Sequence, residues 1–174
     1  LVTLIAKGRA EAEVAAVDVN YILGIESGTN KLAADFEDNA TSLNHPVISN
    51  ATIGNCWTHV AASYDVSNHV WKLYINGVLD KTLDLLSVFT PQSLSNVNAS
   101  IGTSINSTGI TEGFFNGRID EVRIWNVVRT DAEILANYNS ELFSGTGLAS
   151  RWGFNEGSGT VAGNSTAGRP LANL

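Results

Sequence analysis

Carboxylate side chains are the residues of this sequence whose spacing could support catalysis. Retaining glycosidases place a nucleophile and an acid about 5 to 5.5 Å apart, and alternate residues of one strand can supply such a pair. Glu11 and Glu13 have this spacing, but only Asp18 follows them before the acidic pattern ends. We therefore interpret this segment as a solvated loop. The alternative to a pair on one strand is a catalytic pair of carboxylates from separate strands, such as Glu37 and Glu112, and it stays open.

A second candidate residue is Asp120, which begins a short run of alternating residues. Strand alternation places Asp120 on the same face as the apolar Val122 and Ile124. Glu121 then falls on the opposite, wetter face, and we expect Asp120 to point inward. A buried carboxylate needs hydrogen bonds, a cation or a raised pKa. Calcium, which binds carboxylate and carbonyl oxygens, is one solution, and backbone amides or an arginine partner are the alternative.

The composition excludes several classes of protein. The chain has 174 residues, a net charge of −7 and a single cysteine, Cys56, which cannot form a disulfide framework by itself. Ten Lys and Arg against seventeen Asp and Glu leave no basic surface for phosphates, so nucleic acid is not an expected partner. No apolar run approaches the roughly 20 residues that span a bilayer. Because the chain begins at Leu1 and contains no Met, we expect it to be a processed or excised piece of a larger protein.

Short strands are the elements that position the candidate residues. Apolar side chains recur along the sequence with a period of two, and turn signals separate the apolar runs. This pattern predicts a β-sandwich or barrel. The dipeptide Asn76-Gly77 predicts a tight type I′ hairpin. Thr130 and Glu133 have the spacing of a capping box and predict one short helix over residues 131-139.

Two adjacent aromatic residues, Phe114 and Phe115, follow Gly113. A strand places neighbouring residues on opposite faces, so one of the two rings must look outward. Stacking on a sugar ring is the functional interpretation of such a ring, and a partly covered edge is the alternative.

Three sequence motifs occur in a distinctive order. They are WTHVAASYD with KLYING (residues 57–65 and 72–77), GRIDEVRIW (117–125) and RTDAEI (129–134). Together they resemble the laminin-G-like, pentraxin-like domains of the concanavalin A-like lectin/glucanase superfamily. The resemblance implies an all-β, two-sheet antiparallel jelly-roll sandwich, usually found as an extracellular ligand-binding or adhesive module. The Glu-x-Asp-x-x-Glu pattern of the superfamily's hydrolases does not occur in the sequence.

The resemblance also implies a domain division and a metal site. Residues 1-143 correspond to a laminin-G-like jelly roll without its usual opening strands, and residues 144-174 resemble the opening motif of such a domain. We expect this tail to pack back on the same sandwich; the alternative is that it begins a following repeat. Relatives often hold a structural calcium, which makes Asp120 a candidate ligand. Asn164 stands where relatives often have aspartate and is the second candidate ligand.

These observations predict a non-catalytic recognition or adhesion module, secreted or displayed at the cell surface, that binds carbohydrate or protein surfaces with the assistance of calcium. The expected partners are a glycan or an extracellular protein. A glycoside hydrolase or lyase of the same superfamily is one alternative, and a structural spacer in a repeat protein is the other.

Overall fold

The computed structural model describes residues 1–8, 19–106, 108–166, 168 and 172–173. Within these residues the chain forms fourteen β-strands and one short helix, which confirms the predicted all-β architecture. In chain order the elements are β1 (Val2–Lys7), β2 (Tyr21–Ile25), β3 (Lys31–Asp35), β4 (Val47–Thr52), β5 (Val60–Asp65), β6 (Val70–Ile75), β7 (Val78–Asp84), β8 (Ala99–Ile101), β9 (Ser104–Ile105), β10 (Thr111–Glu112), β11 (Val122–Trp125), α1 (Asp131–Asn137), β12 (Leu148–Trp152), β13 (Val161–Ala162) and β14 (Ala172–Asn173).

Two compact units make up the chain, Leu1–Asn116 and Gly117–Leu174. In the first unit, five strands form an antiparallel sheet in the order β4-β3-β2-β1-β8. Three further strands form a second antiparallel sheet in the order β5-β6-β7, and β9 pairs with β10. No helix in the part of the chain that the structure describes is long and apolar enough to cross a membrane.

The core of the first unit lies between its two large sheets. Phe36 follows β3 and packs in one cluster with Trp71 and Leu73 of β6; both Phe36 and Leu73 are fully buried. The indole N–H of Trp71 donates to the carbonyl oxygen of His45 (2.9 Å), so its buried polar atom is satisfied. Burial of apolar side chains from both sheets is what holds this sandwich together.

The hairpin between β6 and β7 confirms the turn predicted from the sequence. Asn76 and Gly77 both have positive φ angles, 50° and 76°. A type I′ turn requires such angles at both central positions, and asparagine and glycine are the residues that adopt them at least cost.

The five-stranded sheet has a second face, opposite the core, that we call the outer face. Along β3, Leu32 and Ala34 are buried in the core, so alternation turns Ala33 and Asp35 to the outer face. The neighbouring strand β4 behaves likewise: Val47 is buried in the core and Ile48 is exposed. Small and polar residues on the outer face leave room for a cavity.

In the second unit, β11 pairs with β12 and β13 pairs with β14, both antiparallel. The helix α1 begins at the predicted capping box, in which the Thr130 hydroxyl accepts from the backbone N–H of Glu133 (3.2 Å) and the Glu133 carboxylate accepts from the N–H of Thr130 (2.8 Å). The helix ends at Asn137, two residues earlier than the sequence pattern predicts. The division at residue 144 stays a prediction, while the tail strand β12 pairs with β11 inside this unit.

Candidate functional site

A cavity of about 570 Å³ opens on the outer face of the five-stranded sheet. Strands β1 to β4 supply its floor, and the segment between β9 and Gly113 supplies one wall. The described lining residues are Leu1, Thr3, Val19, Ile22, Glu26, Ala33, Ala34, Asp35, Asn44, Pro46, Ile48, Ser104, Glu112 and Gly113. The volume lies in the range typical of small-molecule sites, about 300–1,000 Å³.

Asp35 is the carboxylate that the sheet holds most firmly in this cavity. Its Oδ1 accepts a hydrogen bond from the backbone N–H of His45 (2.8 Å). Burial raises the pKa of Asp35 to about 6, although the backbone hydrogen bonds from His45 and Phe36 oppose the increase. A carboxyl group with a strongly perturbed pKa in a cavity is characteristic of functional sites.

Two further carboxylates line the same cavity. Glu112, on β10, accepts a hydrogen bond from the side-chain amide of Asn106 (3.2 Å). Glu26 lies just after β2 and accepts from the hydroxyl of Thr29 in the following turn. Neighbouring side chains therefore orient these two carboxylates, which can accept hydrogen bonds from a bound ligand.

The wall near Gly113 brings several oxygen atoms together. A Cβ atom at Gly113 would lie 2.8 Å from the Leu1 carbonyl oxygen, 3.1 Å from Thr3 Oγ1 and 3.4 Å from Ser104 Oγ. Gly113 also has a φ of 64°, a conformation that L side chains rarely adopt. We call these three oxygens the oxygen cradle.

Thr3 is the most constrained member of the oxygen cradle. Its side chain is fully buried, and its Oγ1 has no hydrogen-bond partner among the described residues. Its backbone N–H donates to the Gly113 carbonyl oxygen (2.8 Å), which fixes the separation of the two residues. A buried hydroxyl without a partner costs about 1–3 kcal/mol, so a ligand group that bonds to it would recover part of that cost.

Glu37, one member of the alternative acid pair, has a structural role instead. It is 1% exposed, and its carboxylate accepts a hydrogen bond from the backbone N–H of Val19 (2.6 Å). Of the two acids, only Glu112 is among the described residues that line the cavity. The structure therefore does not bring Glu37 and Glu112 together as a catalytic pair in this cavity.

In the second unit, the expectation that Asp120 points inward is wrong. Asp120 is exposed, and its Oδ1 accepts a hydrogen bond from the backbone N–H of Glu121 (2.8 Å). The reason is local: Glu121 has a φ of 52°, which interrupts the strand alternation immediately before β11. Glu121, rather than Asp120, therefore occupies the position with charged partners.

Glu121 forms an ion-pair cluster with two arginines. Its Oε2 accepts hydrogen bonds from Arg151 Nε (3.0 Å) and Arg123 Nη2 (2.7 Å), and its Oε1 contacts Arg151 as well. Burial acts to raise the pKa of Glu121, but the hydrogen bonds and charges of the two arginines outweigh it and lower that pKa below its ordinary value. The arginine partner left open for Asp120 is thus found at its neighbour.

Asn164, the second predicted calcium ligand, is already occupied by internal hydrogen bonds. Its Oδ1 accepts from the backbone N–H of Arg151 (3.2 Å) and from the N–H and hydroxyl of Thr166 (3.0 and 2.7 Å). Nowhere in the described ranges do three His, Cys, Asp or Glu side chains come close enough to hold a metal ion. A cation at Asn164 Oδ1 would have to displace these donors, and calcium binding by Asp120 and Asn164 stays a prediction.

One of the two adjacent phenylalanines points outward as predicted, although both lie between β10 and β11 and not in a strand. Phe114 is 66% exposed, whereas Phe115 is half-buried. Phe114 follows Gly113 of the cavity wall directly in the chain. The residue that follows Gly113 in the chain therefore carries an exposed aromatic ring.

Sequence reasoning did not single out Asp35, Glu26, Thr3 or Ser104. One signal for Asp35 is present in the sequence, because alternation along the segment Leu32 to Glu37 separates the positions of Ala33 and Asp35 from those of Leu32 and Ala34. No comparable signal exists for Thr3 and Ser104. Thr3 approaches Gly113 through contacts between segments about a hundred residues apart, and Ser104 approaches it across the pairing of β9 with β10.

Comparisons with solved structures agree with this fold. A proposed carbohydrate binding protein from Bacteroides ovatus ATCC 8483 is 23% identical, with a TM-score of 0.67 over 99% of this chain and 49% of its own. The present chain thus spans about half the length of that protein. The CBM40 of the Ruminococcus gnavus IT-sialidase is 20% identical, with a TM-score of 0.64 over 79% of this chain and 73% of its own.

The same CBM40 has also been solved bound to alpha2,3 sialyllactose, where it is 21% identical to this chain with a TM-score of 0.65 over 79% of this chain and 73% of its own. At these identities the similarity shows a common fold. No curated protein sequence matches the chain.

A sequence-family comparison gives a direct assignment. The family model described as the concanavalin A-like lectin/glucanases superfamily, of laminin G type, matches residues 3–135. The match covers most of the chain, including all three of the motifs that carry the resemblance. The chain therefore belongs to this laminin-G-like family of the concanavalin A-like lectin/glucanases superfamily.

Proposed function

We propose that the protein is a non-catalytic carbohydrate-binding module whose glycan site is the cavity on the outer face of the five-stranded sheet. The observation that carries this proposal is the cavity itself, about 570 Å³ in volume and lined by oriented carboxylates. Glycans suit such a site because their hydroxyl groups donate to carboxylates while their C–H faces contact apolar residues. The carbohydrate-binding descriptions of the similar structures support the same conclusion.

The apolar part of the proposed site lies at its rim. Leu1 and Ile48 both line the cavity and are 47% and 40% exposed. Phe114 adds an exposed ring next to Gly113 in the chain. Exposed apolar side chains beside the lining carboxylates match the two kinds of surface that a sugar ring presents, and aromatic rings stack on its C–H face.

Phe114 provides a direct test of the proposed site. Loss of one stacking ring removes about 1 kcal/mol of binding energy, which corresponds to about fivefold in Kd. We expect Phe114→Ala to weaken glycan binding by this amount in calorimetric titrations with hits from a glycan array. Trp57→Ala is the matched control, since Trp57 is equally exposed at 67% but, unlike Phe114, is not adjacent in the chain to any described lining residue. Equal losses in both variants, or a loss confined to Trp57→Ala, would place the glycan elsewhere.

A hydrolase or lyase is the second candidate function, and one observation favours it. Burial raises the pKa of Asp35 to about 6, the range in which a carboxyl group can act as a general acid near neutral pH. Glu112 lines the same cavity and would supply the second carboxylate. Turnover of β-glucans or galactans that Asp35→Asn abolishes would establish an enzyme. Binding without product, in the wild type as in the variant, supports the module.

The proposal includes an extracellular or cell-surface location within a larger multidomain protein, with a glycan or an extracellular protein as partner. It also includes calcium at Asp120 and Asn164. A ligand that binds the native state must raise its stability by mass action, so calcium should raise the melting temperature and chelator should lower it. Asp120→Asn should remove the response. No heat on calcium addition and no shift in melting temperature would eliminate the calcium part alone.

A further inference from the structure

We propose that the cavity selects glycans without carboxylate groups and holds a ligand hydroxyl or amino group in its oxygen cradle. This inference rests on the proposed carbohydrate binding and goes further by naming the chemical class of glycan. It separates this chain from the structurally similar CBM40, which has been solved with sialyllactose, a carboxylate-bearing sugar, bound.

The charged side chains among the described lining residues are of one sign. Glu26, Asp35 and Glu112 all line it, and none of its described lining residues is Lys, Arg or His. A ligand carboxylate would meet like charges and find no cationic side chain to pair with in this part of the described chain. Placing an unpaired charge in a partly buried site is costly, and juxtaposed like charges suppress the binding of the wrong partner.

The oxygen cradle adds a requirement for a donor. Its three atoms, the Leu1 carbonyl oxygen, Thr3 Oγ1 and Ser104 Oγ, all lie within 3.4 Å of the position that a Gly113 Cβ would take. A carbonyl oxygen can only accept hydrogen bonds, and each hydroxyl can accept as well. A ligand hydroxyl or ammonium group can donate to all three oxygens, whereas a carboxylate could accept only from the two hydroxyls and would face a second acceptor in the Leu1 carbonyl oxygen.

Thr3 is the independent sign that a ligand group belongs at this end of the cavity. Its hydroxyl is fully buried and unpartnered among the described residues, while the Ser104 hydroxyl has only the long contact to the Glu112 carbonyl oxygen (3.4 Å). Buried polar groups are satisfied in nearly all native structures. A bound donor at the cradle would satisfy Thr3, and because its hydroxyl is closed to solvent in the free protein, neighbouring side chains must shift to admit that donor.

Asp35, on the side of the cavity that the sheet forms, also disfavours a ligand carboxylate. Burial raises its pKa to about 6, so its charged form is already poorly solvated in the free protein. A second negative charge nearby would raise the cost further. A hydroxyl or amino donor would instead solvate the carboxylate and lower that cost.

The test compares matched pairs of glycans that differ either in sialylation or in a free amino group. Titration calorimetry is carried out with lactose against sialyllactose, with asialofetuin against fetuin glycopeptides, and with chitosan against chitin oligomers. In each sialylated pair we expect the carboxylate-free member to bind about tenfold more tightly or better, and chitosan to bind at least as tightly as chitin. Tighter or equal binding of the sialylated member would overturn this inference and leave carbohydrate binding intact. Failure of every glycan would refute the proposed function itself.

Two variants connect the preference to these residues. Glu112→Gln removes one charge at constant shape and should reduce the preference against sialylated glycans about threefold or more. Asp84→Asn removes the same charge from an exposed position on the other sheet and should leave the preference unchanged. Equal effects of the two substitutions would mean that overall charge, not the cavity, governs selection.

Thr3→Val tests the cradle separately. It keeps the shape of the side chain and removes the unpartnered hydroxyl. We expect weaker binding of the carboxylate-free glycans with no loss of thermal stability. Unchanged affinity in a folded Thr3→Val protein would remove the cradle from the proposal.

Discussion

Replacement of Asp35 by Asn should stabilise the protein at neutral pH. The carboxyl group of Asp35 is held in the cavity wall by the backbone N–H of His45, and Asn can accept the same hydrogen bond through Oδ1. The amide carries no charge, so it avoids the cost of keeping an ionised group in a poorly solvated position. The substitution thus separates the packing of this side chain from its charge.

The magnitude follows from the pKa of Asp35. That pKa is raised from 3.8 to about 6, roughly two units, and each unit corresponds to about 1.4 kcal/mol. The ceiling on the gain is therefore about 3 kcal/mol. Because solvent still reaches part of the carboxyl group, we expect about 1–2 kcal/mol.

The pH dependence of the gain has a definite sign. The folded-state pKa of Asp35 lies above its ordinary value, so the folded protein binds the proton more tightly than the unfolded chain does. Wild-type stability relative to Asp35→Asn therefore rises as pH falls through about 6 and levels off below about 4. The gain from the substitution is largest near pH 7 and disappears in acid.

Urea denaturation of both proteins between about pH 4 and pH 8 measures this difference. His45 also responds to pH, because burial lowers its pKa against the opposing charge of Asp38. His45 is present in both proteins, and to a first approximation its contribution cancels in their difference. Asp84→Asn, at an exposed position, is the charge-matched control. A variant that is less stable than wild type at pH 7, or a difference that does not change with pH, would refute the assignment of a buried, poorly solvated carboxylate at Asp35.

Two predictions concern the stability of each unit by itself. Glu121→Gln should lower the free energy of unfolding by about 2–3 kcal/mol, because Arg151, whose side chain is 4% exposed, then keeps only the longer contact to Glu141 (3.4 Å) as an ion pair. The loss should shrink as pH falls below about 4.5, because the lowered pKa of Glu121 then ceases to stabilise the folded state. An equal loss in Asp120→Asn would contradict this. Leu73→Ala should lower the free energy of unfolding by about 2–5 kcal/mol in urea denaturation, because Leu73 is fully buried between the two large sheets. A loss below about 1 kcal/mol would mean that this core is not tightly packed.

Local sequence rules predicted the features that depend on neighbouring residues. The Asn76-Gly77 turn and the capping box of Thr130 and Glu133 both form as expected. Each depends on a few adjacent residues whose intrinsic preferences agree with the fold. The family motifs made the overall architecture predictable as well, because they record the order of the strands in a known sandwich.

The same rules were wrong where the backbone departs from regular geometry. Strand alternation requires extended φ angles throughout, and the positive φ of Glu121 breaks it one residue before β11. Asp120 and Glu121 therefore exchange their expected roles. Glutamate is not a residue that signals such a conformation, so the sequence carries no warning.

The oxygen cradle could not be predicted for a different reason. It joins Thr3 to Ser104 and Gly113 across about a hundred residues, and Gly113 is one of sixteen glycines in the chain. Nothing in the local sequence distinguishes this glycine from those that only form turns. Its importance becomes visible when the oxygens around its missing side chain are located.

The outer face of the five-stranded sheet departs from what stability alone would favour. Ala33 in the middle of the sheet leaves space unfilled, Asp35 keeps a carboxyl group where burial raises its pKa, and Thr3 keeps a buried hydroxyl without a partner among the described residues. Each feature lowers stability, and all three line the same cavity. Stability costs that accumulate in one cavity are typical of sites maintained for binding. The carboxylate and the hydroxyl would both be relieved by a ligand that donates hydrogen bonds, which is why the cavity, rather than the arginine cluster of the second unit, is the proposed glycan site.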